Sequence, residues 1–160
     1  MILIKVNDEI IVLQFWDACG NEEFAYKTPN LFRNASLAII VYAINDKQSF
    51  EKVSIWINIL KEYSQVTIKY LIGNKSDLEE NRKVKKEDAE RVKDVYDDIK
   101  LFFETSASNG DNINNLYENI VISLYEKNKI EKDIKEMNER ILLNKEDYSN
   151  KAKRKRKIFC

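Results

Sequence analysis

Histidine is missing from all 160 residues of the chain, and proline occurs once, at Pro29. Without an imidazole there is neither a His-based general base nor a zinc site of the Cys/His kind. Two cysteines, Cys19 and Cys160, stand far apart. They exclude a disulfide framework and point to a reducing, cytoplasmic setting. Three glycines, at 20, 73 and 110, nowhere complete the pattern Gly-x-x-x-x-Gly-Lys-Ser/Thr. Gly73-Asn-Lys-Ser76 imitates its end, but the pattern needs glycine where Asn74 and Lys69 stand. Long apolar runs are missing too. The longest, Leu37 to Ile44, is far too short to cross a bilayer, and the Met1–Lys5 start is too short for a signal peptide.

What is present is one domain's worth of chain, 44% hydrophobic and 34% charged, with 27 basic residues against 27 acidic. The balance hides a separation. Lys151, Lys153, Arg154, Lys155, Arg156 and Lys157 lie together near the C-terminus with no acid among them, and without those six the chain counts 21 basic residues against 27 acidic.

Ile2, Ile4 and Val6 alternate with polar residues, Asn7-Asp8 offers turn chemistry, and Ile10 to Trp16 resumes the apolar pattern, which predicts a hairpin. Leu37–Ala43 and Val66–Ile72, the latter closed by Gly73, read as strands buried on both faces, and Lys100–Glu104 as a short third. Asp46 N-caps a predicted helix that buries Phe50, Val53, Trp56, Ile57 and Leu60. Residues 86–97 form another, with Ala89, Val92 and Tyr96 on one stripe. From Asp111 a third carries Ile113, Leu116, Ile120 and Leu124, then Ile130, Ile134, Met137 and Ile141, a stripe expected to pack on its own domain. Trp16 and Trp56 are expected in the core, with Cys19 as a small packing residue. Strands alternating with such helices define an α/β fold whose mostly parallel sheet is covered on both faces, and ligands bind such sheets at the carboxyl ends of strands.

Three of those ends carry polar groups: Asp17-Ala-Cys-Gly20, Asn74-Lys-Ser-Asp77 and Thr105-Ser-Ala107. Each alone is a weak signal; the ordered set is a strong one. The Asp77 carboxylate can accept two parallel hydrogen bonds from N1 and the exocyclic amine of guanine. Adenine has no donor at either position, and such a contact discriminates by roughly 1–3 kcal/mol. The Lys75 stem can lie over the base, the Asn74 amide can tie loops together, and backbone amides at Ser106 and Ala107 can meet the guanine O6. In Asp-x-x-Gly, Asp17 can hold magnesium through water while Gly20 approaches a terminal phosphate.

Leu13-Gln-Phe-Trp-Asp-Ala-Cys-Gly-Asn-Glu-Glu-Phe24 resembles the Rab consensus Leu-Gln-Ile-Trp-Asp-Thr-Ala-Gly-Gln-Glu-Arg-Phe. Ile39–Phe50, Gly73–Leu78 and Glu104–Ala107 are similar to that family's later signatures, so the likeness runs from Met1 to about Lys127. It implies a small G-protein fold of the P-loop NTPase type, binding of GTP or GDP with Mg2+, GTP hydrolysis, Rab-type effectors and regulators, and a peripheral place on the cytosolic face of an intracellular membrane. No nucleic-acid partner is expected. Residues 1–127 are the expected domain, 128–150 a helical extension and 151–160 a basic tail.

The sequence also departs from the family. Asn21 stands at the place of the water-orienting glutamine, one methylene shorter, Glu23 replaces an arginine, and Ser108 replaces a lysine. The family's first strand, phosphate loop, first helix and switch-one threonine precede the region matched by Met1, so weak phosphate binding is expected of this chain. Cys160 beside the basic run suggests a lipidated, membrane-surface tail, although a single terminal cysteine fits neither a C-a-a-X box nor a cysteine pair. Two other readings stay open: an interaction module that keeps the fold without nucleotide, and an active GTPase whose upstream residues complete the site.

Overall fold

A computed structural model describes residues 2–6, 9–21 and 30–156. It divides into two compact units, Met1–Ser123 and Leu124–Cys160.

In the first unit β1 (Ile2–Val6) and β2 (Glu9–Leu13) pair antiparallel, with Ile4 opposite Ile11. The second strand stops at Leu13, three residues before the expected Trp16, because Leu13 faces Ile2 and β1 has nothing further to offer. The Asn7-Asp8 turn lies outside the described residues. A short helix, α1 (Asn30–Arg33), was not legible in the pattern; Phe32 from it enters the core and its carbonyl accepts from Ser64 Oγ at 2.7 Å.

Three parallel strands make the main sheet: β3 (Ala38–Ala43), β4 (Lys69–Asn74) and β5 (Ile99–Glu104), in the order β3-β4-β5. The central strand is buried on both faces, which explains its continuous apolar run. It begins three residues later than expected and includes Gly73 and Asn74. Lys69 is the first residue with a partner on each side, Ala38 and Ile99. The buried Lys69 ammonium is neutralised by Asp98 at 2.5 Å.

Asp46 caps as expected, its Oδ1 accepting from the amides of Gln48 and Ser49. The predicted single helix is two, α2 (Lys47–Glu51) and α3 (Val53–Tyr63), separated where Lys52 flattens to ψ −12°. The chain then passes from β4 into a 3-10 segment, Ser76–Asn81, and through α4 (Lys86–Val95) to β5. Ile40, Tyr42, Leu71 and Ile99 pack on one sheet face with Val53, Ile57, Leu60, Val84 and Ala89. Fully burying such a side chain contributes about 1.5–3 kcal/mol. Opposite, Tyr70 donates to the Asn119 carbonyl of α5 (Ile113–Arg156) at 2.8 Å.

Several expected core positions are solvent-facing. Trp16 is 68% exposed, because β2 has already ended and, among the described residues, no strand pairing beyond Leu13 holds it against a sheet; Trp56 does pack on the core. Cys19 is exposed, and its neighbour Ala18 takes the packing role instead. In the second unit, Ile130 and Ile134 of α5 are exposed rather than covered. Among the described residues no helix is long and apolar enough to cross a membrane.

Candidate functional site

Parallel pairing of β4 and β5 sets Gly73 beside Glu104, so the loops that follow emerge together. The Ser76 amide donates to the Thr105 carbonyl at 2.9 Å, and the Thr105 amide to the Gly73 carbonyl at 2.9 Å. Side chains complete the junction. Ser106, fully buried, donates its hydroxyl to Asp77 Oδ1 at 2.5 Å, and Asn74 Oδ1 accepts from the Ala107 amide at 3.1 Å. Asn74, Asp77, Ser106 and Ala107, picked from two distant stretches of sequence, are thereby brought into one cluster.

Positive φ at Lys75, Gly110 and Asn112 shapes it. Lys75 adopts left-handed angles (φ 66°, ψ 38°), a conformation costing on the order of 1–3 kcal/mol for a non-glycine residue, and its side chain is exposed. Gly110 (φ 84°) turns the second loop, letting its amide donate to the Ser106 carbonyl at 2.9 Å while the Ser106 amide donates to the Asp111 carbonyl at 3.1 Å. The Ser106 hydroxyl also accepts from the amides of Ser108 and Asn109. Ser106 is thus a hub: two amides orient its oxygen so that its proton points at Asp77.

Asp77 keeps Oδ2 open to solvent, without a hydrogen-bond partner among the described residues. The exposed carboxylate is thus held on one oxygen by a hydroxyl, and the neighbouring Lys75 side chain is exposed as well. The amides have other partners here: that of Ser106 is bound to Asp111, and that of Ala107 to Asn74. A groove of about 540 Å³ lies beside the second loop, lined by Asn109–Asn112, Asn114 and Asn115, and Asn74, Lys75, Asp77, Ser106 and Ala107 are outside it.

Asp17 and Gly20 carry no hydrogen bond to the cluster among the described residues. Both are exposed, as is Asn21, and Gly20 has no atom within 4 Å of where a Cβ would stand. Among the described residues no three His, Cys, Asp or Glu side chains group as a cation cage. The Glu22–Phe24 stretch and Cys160 lie outside the described residues. Sequence reasoning missed one contributor. Arg82 grips both Glu79 and Glu104 at the root of the site, and its signal was an arginine five residues beyond Asp77 with a glutamate just ahead of Thr105.

A parallel α/β sheet whose polar loops are joined at the carboxyl ends of two adjacent strands has the arrangement at which such sheets bind ligands. The Ras family model matches residues 2–126. The chain is 37% identical over 123 residues to Ras-related protein Rab-11C of Dictyostelium discoideum, covering 76% of this chain and 54% of the relative. It is 38% identical over 116 residues to Rab-2B of the same organism (72% and 56%) and 34% identical over 122 residues to human Rab-30 (76% and 59%). The chain belongs to the Ras family, as a Rab-like small GTPase domain, and spans a little over half the length of these relatives.

Proposed function

We propose that this chain is the base-reading part of a Rab-like guanine-nucleotide switch acting in intracellular membrane traffic. Asp77 takes the N1 and exocyclic amino hydrogens of guanine, Lys75 lies along the base, and Asn74 and Ser106 hold the two loops in register. The observation that carries the reading is the pair of contacts Ser106–Asp77 and Asn74–Ala107, which joins the loops and aims a free carboxylate edge outward. The Ala107 amide is the group placed to share its hydrogen with the guanine O6. In a complete site Mg2+ and a phosphate loop supply phosphoryl chemistry; these residues contribute base selection. Asp17, Gly20 and Asn21 are assigned to the magnesium, terminal-phosphate and water-orienting positions by resemblance.

Ligand-observed NMR with nucleosides tests the reading at the level where these residues act. Guanosine is expected to bind best, inosine, which lacks the exocyclic amine, less well, and adenosine least. Equal binding of all three would sink the assignment.

A second reading, an interaction module without nucleotide, is favoured by one observation. Ile10, Val12 and Trp16 are exposed together, and Phe15 stands at the surface edge-to-face with Tyr117, ring centroids 5.9 Å apart. That much apolar surface marks a docking face. Under this reading no nucleoside binds, and substitution of Asp77 affects only the loop contact it makes with Ser106.

A further inference from the structure

A guanidinium has five N–H groups, and those of Arg82 are fully used. Nε donates to Glu79 Oε1 at 2.8 Å, and Nη2 to Glu79 Oε2 at 2.6 Å. Nη1 donates to Glu104 Oε1 at 2.8 Å and to the Val84 carbonyl at 3.0 Å, and Nη2 reaches Glu104 Oε2 at 2.9 Å. Both carboxylates are gripped in the two-pronged manner a planar guanidinium allows and a lysine does not.

The location matters as much as the number of bonds. Glu79 lies two residues beyond Asp77 in the 3-10 segment, and Arg82 closes that segment, its own amide donating to the Glu79 carbonyl at 3.1 Å. Glu104 is the last residue of β5, directly before Thr105-Ser106-Ala107. The Arg82 and Glu104 side chains are only 19% and 15% exposed, so solvent and salt screen their pairing weakly. One side chain therefore ties the end of the Ser76–Asn81 segment to the end of β5, a link separate from the Ser106–Asp77 and Asn74–Ala107 contacts.

We propose that Arg82 is a positioning residue: its fork holds the Ser76–Asn81 turn and the end of β5 at the separation that lets Ser106 meet Asp77, and so sets guanine-over-adenine selection without touching the base. The selectivity clause rests on the base-reading function proposed above; the clamp itself does not.

The test uses the 160-residue chain with Arg82→Lys, which keeps the charge and loses the fork, and Arg82→Ala. Amide hydrogen exchange is followed at Ser76 and Ala107, whose hydrogens cross between the loops, and at Leu71 and Ile72 in the core strand. Both variants are expected to speed exchange at Ser76 and Ala107 by about tenfold while leaving Leu71 and Ile72 unchanged. The ratio of guanosine to adenosine affinity is expected to fall by about fivefold in both. Lysine sustaining wild-type exchange at Ser76 and Ala107 overturns the clamp. Faster exchange throughout β4, with equal loss of both nucleosides, shows a merely structural arginine and overturns it as well. If the unsubstituted chain itself shows no guanosine preference, the base reading and the selectivity clause fail together, and the exchange data still decide the clamp.

Discussion

The phenol oxygen of Tyr42 lies 2.7 Å from where a Cβ on Gly73 would stand. The ring comes from the neighbouring strand, is 1% exposed, and packs edge-on to Phe50 with centroids 4.9 Å apart, so it cannot swing away. Glycine at this point is a packing requirement, imposed just ahead of the Asn74–Asp77 loop. Gly73→Ala is therefore expected to destabilise the chain by about 1–3 kcal/mol through overpacking. Tyr42→Phe should relieve most of that loss in the double variant. Alone it should be neutral or stabilising, because the Tyr42 hydroxyl is buried without a partner among the described residues. Thermal unfolding of the three variants checks this; a marked loss in Tyr42→Phe would mean the hydroxyl has an essential contact.

Asp77→Asn replaces one carboxylate acceptor with an amide donor that faces guanine's own donors. Guanosine binding is expected to fall to the level of adenosine, a loss of roughly 1–3 kcal/mol, while adenosine binding stays as it was. Nucleoside titration of the variant decides this. An equal drop for both nucleosides would mean that Asp77 acts by holding Ser106 in place.

The strands and the three loop motifs were legible because a strand buried on both faces must be apolar without interruption, as Ala38–Ala43 is throughout and Tyr70–Ile72 is at the centre of β4. The strand ends were less so. Lys69 reads as polar surface until Asp98, 29 residues away, is seen to neutralise it, and no local pattern announces such a partner. Trp16 misled for the opposite reason: bulk and hydrophobicity favour burial, but burial depends on an opposing element. Motif chemistry singled out Asn74, Lys75, Asp77, Ser106 and Ala107, whereas the commitment of the Ala107 amide to Asn74 depends on three-dimensional register, and the bracing by Arg82 left only the weak signal of an arginine and a glutamate flanking the two motifs.

The Arg82 hydrogen bonds hold the Glu79 carboxyl below its ordinary value of 4.5. A carboxyl with a depressed folded value contributes stability that is fully present above its unfolded value and is lost as pH falls through the folded one. The Arg82–Glu79 contact is thus expected to be intact at neutral pH and to open only below about pH 4.5. Carboxyl NMR titration should show Glu79 titrating low in the unsubstituted chain and returning to the ordinary range in Arg82→Ala. An unchanged Glu79 titration in that variant would remove Arg82 as the cause.

Lys151–Lys157 concentrates positive charge beside Cys160. Each basic residue near an anionic surface is worth roughly 1 kcal/mol, and the attraction fades within a Debye length of about 10 Å at 0.1 M salt. Vesicles containing phosphatidylserine are expected to bind the 160-residue chain more tightly than one ending at Asn150, with the difference shrinking as salt rises. Binding indifferent to both truncation and lipid charge leaves the tail a solvated run.

Along β3 the amides of Ala38 and Ile44 donate across to the β4 side, to the Ile68 and Asn74 carbonyls, each at 3.0 Å. By the alternation of a strand, the amides of Ile39 and Val41 point the other way, where Ala43 alone is met, by Ser49 Oγ at 2.9 Å. No strand receives them among the described residues: β3 pairs with β4 only, and β2 with β1 only. The family likeness implies a strand between β2 and β3, and among the described residues the β3 edge facing that place is uncharged, free of proline and flanked by an exposed Val41. Such an edge invites pairing with another chain, and each buried backbone group left unmet costs about 1–3 kcal/mol. The 160-residue chain is therefore expected to associate at high concentration, with rapid exchange at Ile39, Val41 and Ile10–Phe15 in the monomer. Adding the relatives' preceding segment should suppress both. Hydrogen exchange decides the matter: protection of Ile10–Phe15 equal to that of Tyr70–Ile72 in a demonstrated monomer would show that the two sheets close without a strand between them.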